Sequence, residues 1–136
     1  MFLRETFSLA ESIISGSGII AEFKRRSPSK NVINQKSSVI DVAKGYEEAG
    51  VSGLSVLTDT KYFGGSLDDL IQVRDIVNLP ILRKEFIIDS YQIFESKAFG
   101  VDAILLIAAI LSEDEIVELS SILKNVFTPN SFLIGA

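Results

Sequence analysis

The apolar pattern of this chain changes period repeatedly. Short runs rich in β-branched and long aliphatic residues occupy residues 19–24 (IIAEFK), 53–58 (GLSVLT), 80–86 (PILRKEF) and 103–107 (AILLI). Their length and content predict buried strands. Between them, apolar residues recur three or four apart. Residues 39–49 place Val39, Val42, Ala43, Tyr46 and Ala49 on one helical stripe, and residues 67–77 do so with Leu67, Leu70, Ile71, Val73 and Val77. Residues 91–99 and 113–127 read the same way, so four helices are predicted. Ser66, Asp89 and Ser112 stand at N-cap positions, the last with Glu115 at capping-box spacing. Gly50 and Gly100 stand where helix C-caps belong.

The chain also echoes itself. Residues 46–57 (YEEAGVSGLSVL) parallel residues 96–107 (SKAFGVDAILLI). In both, a helix closes on glycine, a valine follows, and a strand begins three residues after the glycine. A strand-then-helix unit repeated four times predicts a parallel α/β sheet with right-handed crossovers. Residues 131–135 (SFLIG) supply a fifth apolar piece. The expected organisation is one domain: residues 1–18 an N-terminal extension, 19–127 four βα units, and 128–136 a tail. Two architectures fit. One is a flavodoxin-like open sheet with helices on both faces, in which Asp59 would be a receiver-type acid after the second strand. The other is part of an eight-stranded barrel, since a whole barrel takes about 250 residues and the chain has 136.

Composition narrows the chemistry. There is no cysteine and no histidine. Thiol and imidazole catalysis and the metal sites built on those ligands are excluded, and acid–base work falls to Lys, Asp, Glu or Tyr. A net charge of −5 argues against a general nucleic-acid partner. No glycine-rich nucleotide signature is present, so no nucleotide cofactor is expected. The longest uncharged apolar run, residues 103–111, is far below the roughly 20 residues of a membrane span. Arg4, Glu5 and Glu11 interrupt any signal-peptide core, so a cytoplasmic protein without a membrane partner is expected.

Strand alternation puts Ile20, Glu22 and Lys24 on one face of the first strand, and Leu82, Lys84 and Phe86 on one face of the third. Charges in a doubly covered parallel strand are costly unless paired. They are therefore either structural ion pairs or a site at the C-terminal ends of the strands, where parallel α/β folds place ligands. A partly buried Lys84 would suit a general acid. Residues 24–30 (KRRSPSK) gather four cations and two hydroxyls, either a solvated loop or an anion-binding one. Residues 61–66 (KYFGGS) form either an aromatic lip or a loop packed on its own helix.

At these residues the chain resembles the indole-3-glycerol phosphate synthase family of (βα)8-barrel lyases. The resemblance rests on residues 19–30 (IIAEFKRRSPSK), 54–70 (LSVLTDTKYFGGSLDDL), 80–92 (PILRKEFIIDSYQ) and 102–111 (DAILLIAAIL). It implies closure of the indole ring of 1-(2-carboxyphenylamino)-1-deoxyribulose 5-phosphate with loss of carbon dioxide and water, a lyase step of tryptophan biosynthesis that uses no cofactor and no metal. It assigns catalysis to Lys84, Lys24 and Glu22. Substrate binding goes to Ser27, Pro28, Ser29, Phe63, Phe86 and Leu105. It covers about four βα units, and residues 130–135 (NSFLIG) resemble the family's last barrel strand. The implied fold is a TIM-barrel-type half-barrel plus a short C-terminal strand. Such a half exposes Ile20, Leu82, Phe86 and Leu105 unless the N-terminal segment or the tail folds over them, and it invites a homodimer that completes the barrel. A fragment that binds phosphate or oligomerises without turnover is the alternative.

Overall fold

A computed structural model of the chain describes residues 6–25, 38–127 and 131–135. The strands are β1 (Ile20–Phe23), β2 (Gly53–Leu57), β3 (Ile81–Lys84), β4 (Ala103–Ile107) and β5 (Phe132–Gly135). The helices are α1 (Leu9–Ser15), α2 (Val39–Glu48), the single turn α3 (Thr60–Phe63), α4 (Leu67–Ile76), α5 (Ser90–Ala98) and α6 (Glu113–Val126). The expected caps form: Ser66 accepts from Asp69 N, and Ser112 and Glu115 close a capping box. Asp89 closes another with Gln92.

All five strands are parallel, and each lies beside the next in sequence, β1-β2-β3-β4-β5. A doubly wound sheet reverses its strand order at a switch point. This sheet never reverses, so equal-handed crossovers carry every repeat helix to the same side. Leu54, Val56, Ile81, Ile104 and Leu106 point to that side and pack against Val39, Leu70, Val73, Ile93 and Leu123 of α2, α4, α5 and α6. That is the layering of a TIM-type barrel opened along one side, and it sets aside the flavodoxin-like sheet. No helix among the described residues is long and apolar enough to cross a membrane.

The opposite face, which a closed barrel turns inward, carries Ile20, Leu82, Ala103 and Leu105. Residues 9–15 turn out to be helical, and Leu9 and Ile13 of α1 lie over the N-terminal end of this face. The expected exposure of Leu82 is thereby corrected: it is 5% exposed, because α1 covers it. Ile20, Phe86 and Leu105 are partly buried. The strand bounds also tighten. β3 stops at Lys84 rather than Phe86, and the Glu85 side chain accepts from the Phe86 N–H just beyond it (3.0 Å).

Asp102, fully buried before β4, ties the N-terminal edge together. Its carboxylate accepts from Phe7 N (2.7 Å), Ile81 N (2.9 Å) and Arg74 Nη1 (2.6 Å). Arg74 reaches it from α4 and also donates to the carbonyls of Val77, Leu79 and Gly100. Gly100 has φ +86°, and a Cβ there would lie 2.7 Å from the Arg74 side chain. Only glycine accommodates both.

Candidate active site

The C-terminal ends of β1, β2 and β3 bring three polar side chains to the inner face. Register pairs Glu22 with Ser55 and Leu57 with Lys84, and strand alternation turns Glu22, Ser55, Leu57 and Lys84 the same way. The Glu22 carboxylate is the centre of the group. Its Oε1 accepts from Ser55 Oγ (3.1 Å) and meets Lys84 Nζ (3.1 Å), while its Oε2 faces Lys24 Nζ at 3.5 Å. One acid thus holds two ammonium groups, one at the end of β3 and one just past β1. Of the two sequence readings of these charges, the ion pair is formed.

These groups open onto a cavity of about 220 Å³ whose apolar wall is Leu57, Phe63, Phe86, Leu105 and Ile107, with Asp59 and Glu85 also lining it. Phe63 arrives on α3. Gly64 (φ +69°) ends that turn, and a Cβ on Gly65 would stand 1.9 Å from Leu57 O. The loop can therefore press against β2 only with glycine there. Tyr62 meets the Phe86 ring edge-on, centroids 6.2 Å apart.

Burial pushes the Glu22 carboxyl up, but the hydrogen bond and charge of Lys84, the Ser55 hydroxyl and the charge of Lys24 outweigh it and hold the group below its usual value. The stability this lends is complete above the carboxyl's unfolded value, near 4.3. It is lost as pH falls through the lower folded value. Urea melts of wild type and Glu22→Gln across that range are expected to differ by a constant above it and to converge below it. A difference that grew toward acid would contradict the pairing.

The structure therefore brings together Glu22, Lys24, Lys84, Phe63, Phe86 and Leu105. Ser27, Pro28 and Ser29, with Arg26 and Lys30, lie outside the described residues. The cationic loop divides at its start. Lys24 faces the cavity, whereas the two terminal guanidinium nitrogens of Arg25 donate to the buried Asp69 carboxylate of α4 and its charge lies 4.9 Å from the Phe23 ring centroid. Sequence reasoning did not assign Glu85, Leu57 or Ile107 to the site. The last two could have been read from alternation, since Leu57 shares a face with Ser55 and Ile107 with Leu105. Glu85 needs the fold: its Oε2 accepts from Thr58 Oγ1 (2.9 Å), which in turn accepts from Arg83 Nε (3.0 Å). The buried Arg83 continues to Ser96 Oγ (2.8 Å) and Glu95 (3.0 Å) on α5.

The sequence profile of the family described as indole-3-glycerol phosphate synthase matches residues 4–126. The chain is 54% identical over 106 residues to the indole-3-glycerol phosphate synthase of Bacteroides thetaiotaomicron, covering 78% of this chain and 41% of that protein. It is 50% identical over 109 residues to that of Prochlorococcus marinus subsp. pastoris, covering 80% and 37%. The chain thus spans about two fifths of the length of the curated relatives it matches. Among solved structures it is similar to a mandelate oxidase variant with benzoyl-formic acid (TM-score 0.64, 14% identity, 95% of this chain and 45% of that one). It is also similar to a Ruminococcus gnavus sialic acid aldolase (TM-score 0.54, 20% identity, 85% and 42%). At these identities the structures speak for the fold alone.

Proposed function

The chain belongs to the indole-3-glycerol phosphate synthase family, and from that premise we propose that its cavity binds 1-(2-carboxyphenylamino)-1-deoxyribulose 5-phosphate and supplies the acid for indole-ring closure. The observation that carries the reading is the Glu22 carboxylate holding Lys84 and Lys24 at the mouth of an aromatic-lined cavity. Lys84 donates a proton to the sugar carbonyl oxygen as the ring carbon attacks the carbonyl carbon. Loss of the ring carboxylate as carbon dioxide follows, and departure of the new hydroxyl as water, with a proton lost from the neighbouring former sugar C1 to solvent, completes the indole. Lys24 holds the substrate's anionic group and assists that departure. Glu22 holds both amines and aims them. Phe63, Phe86 and Leu105 give the aniline ring an apolar wall. Ser27, Pro28 and Ser29 belong to the same reading as binders of the substrate's anions, and a cytoplasmic setting goes with it.

A second reading, binding without turnover, is favoured by the chain's span of two fifths of its relatives. Incubation with the substrate separates the two. Appearance of the fluorescent indole product with stoichiometric carbon dioxide supports catalysis. A substrate complex without product supports the binding module.

Homodimerisation is also part of the proposal. Among the described residues β1 and β5 each lack a neighbour on one side, and Leu133 and Ile134 of β5 are 43% and 56% exposed. Unpaired edges promote strand pairing between chains. A two-fold axis along the strands would set β5 of one copy beside β1 of the other with all strands parallel. Light scattering behind size exclusion is expected to give twice 14.9 kDa at high concentration and dissociation on dilution. A folded monomer at every concentration would contradict it.

A further inference from the structure

Thr58 follows β2 directly and is buried. Its side chain is the middle of a chain of hydrogen bonds that runs from α5 to a residue of the cavity. The Thr58 hydroxyl accepts from Arg83 Nε (3.0 Å) and donates to Glu85 Oε2 (2.9 Å), and Glu85 is among the cavity's lining residues. The Thr58 N–H donates to the Lys84 carbonyl (3.1 Å), so backbone and side chain of one residue both tie the end of β2 to the end of β3. Glu85 Oε1 accepts from the Phe86 N–H (3.0 Å). At the other end, Ser96 Oγ, the Gln92 carbonyl and Glu95 of α5 hold the Arg83 guanidinium. A buried polar network whose members are satisfied is rigid.

Two segments leave this junction. The chain beyond Thr58 leads to α3 and Phe63, and the chain beyond Glu85 begins with Phe86. Both rings line the cavity, and Tyr62 of the first segment meets Phe86 of the second edge-on. We propose that Thr58 and Glu85 are positioning residues: the hydrogen bond between them sets the separation of the Phe63 and Phe86 segments, and with it the grip of the apolar wall on the substrate's aniline ring. This rests on the function proposed above. Neither residue has to touch the ligand, because their effect passes through the two phenylalanines, and small misplacements of groups that hold a substrate are costly.

Thr58→Val keeps the branched shape and removes the hydroxyl, whereas Thr58→Ser keeps the hydroxyl. Glu85→Ala removes the acceptor while Thr58 still meets Arg83, so it breaks the bond without loosening the buried arginine. The probe is the substrate with its sugar carbonyl reduced to a hydroxyl, which cannot close the ring. Fluorescence titration of the full chain reads its Kd and the emission maximum of its bound aminobenzoate ring, which lies at shorter wavelength in apolar surroundings than in water. Thr58→Val and Glu85→Ala are expected to raise Kd about 10-fold, the equivalent of one hydrogen bond, and to move the bound emission toward its value in water. Thr58→Ser should recover both quantities. Asp102→Asn, which loses stability at the far end of the strands, should keep wild-type Kd and emission at a temperature where circular dichroism shows every variant folded. Should Thr58→Val fail to fold, Glu85→Ala against Glu85→Gln makes the same comparison, since the glutamine amide oxygen still accepts from Thr58.

Wild-type Kd and emission in Glu85→Ala, or in a folded Thr58→Val, would overturn the proposal. So would weaker binding with wild-type emission, because the ring would still meet its wall. An Asp102→Asn protein that binds as weakly as Glu85→Ala would also overturn it, by making stability the whole effect. If Lys84→Ala weakens binding in the same series, the family reading survives any of these results. A probe that does not bind wild type would overturn both.

Discussion

Lys84→Ala is expected to lower formation of the indole product by about 10²–10⁴-fold, the usual contribution of a positioned general acid. Circular dichroism and the thermal midpoint should change little. Lys84 closes β3 with its side chain 37% exposed, and its charge meets Glu22 rather than the apolar core. Removing it leaves Glu22 with Lys24 and Ser55, so no carboxylate is stranded. Lys84→Arg should not restore the rate, because a guanidinium is too weak an acid to deliver a proton near neutral pH. Lys24→Ala should raise the substrate Kd as well as slow turnover, since its assigned task is to hold an anion. Stopped-flow indole fluorescence on the purified variants gives both quantities. A Lys84→Ala rate equal to wild type would remove the lysine from the mechanism.

The largest effect on stability is expected at the other end of the strands. Asp102→Asn should lower stability by about 3–5 kcal/mol, the cost of breaking a buried ion pair from one side. That is a large part of the 5–15 kcal/mol typical of a domain. The substitution leaves the Arg74 guanidinium, whose side chain is 9% exposed, without its carboxylate. It also weakens the acceptor that fixes Ile81 N at the start of β3 and Phe7 N ahead of α1. A fall in thermal midpoint of about 10–20 °C follows. The double variant Asp102→Asn with Arg74→Met should recover part of the loss, because no unpaired charge then remains buried. An Asp102→Asn protein as stable as wild type would show that the hub is not held by charge.

What could be read in the sequence was set by local physics. The four βα units were legible because each strand is a short apolar run and each repeat helix an apolar stripe closed by its own cap, as at Ser66 and Ser112. Alternation set Glu22 with Lys24 on one face of the first strand and Lys84 opposite Arg83 on the third, but that Glu22 and Lys84 turn to the same side of the sheet came from the register. α1 was not legible. Its seven residues include Glu11, two serines and an exposed Ile14, and its reason to fold is Leu9 packing on Leu82, a contact 73 positions away in the chain. α3 escaped because Lys61-Tyr62-Phe63-Gly64-Gly65 carries the composition of a loop. Its single turn depends on the Asp59 cap and on Gly65 passing close to Leu57. The Asp102–Arg74 and Arg83–Glu95 pairs were hidden for the same reason. Each charge lies near unlike neighbours in sequence, and its partner is chosen by the sheet.

The central claim is that one carboxylate and the two lysines it holds form the substrate site. Isothermal titration of the substrate into wild type, Lys24→Ala, Lys84→Ala and the exposed α6 variant Lys124→Ala tests it most directly. The account predicts saturable binding to wild type and to Lys124→Ala with equal affinity, and a Kd at least about tenfold higher for each cavity variant, as expected for losing one charge-assisted contact. Four equal isotherms, or no binding to wild type, would contradict it.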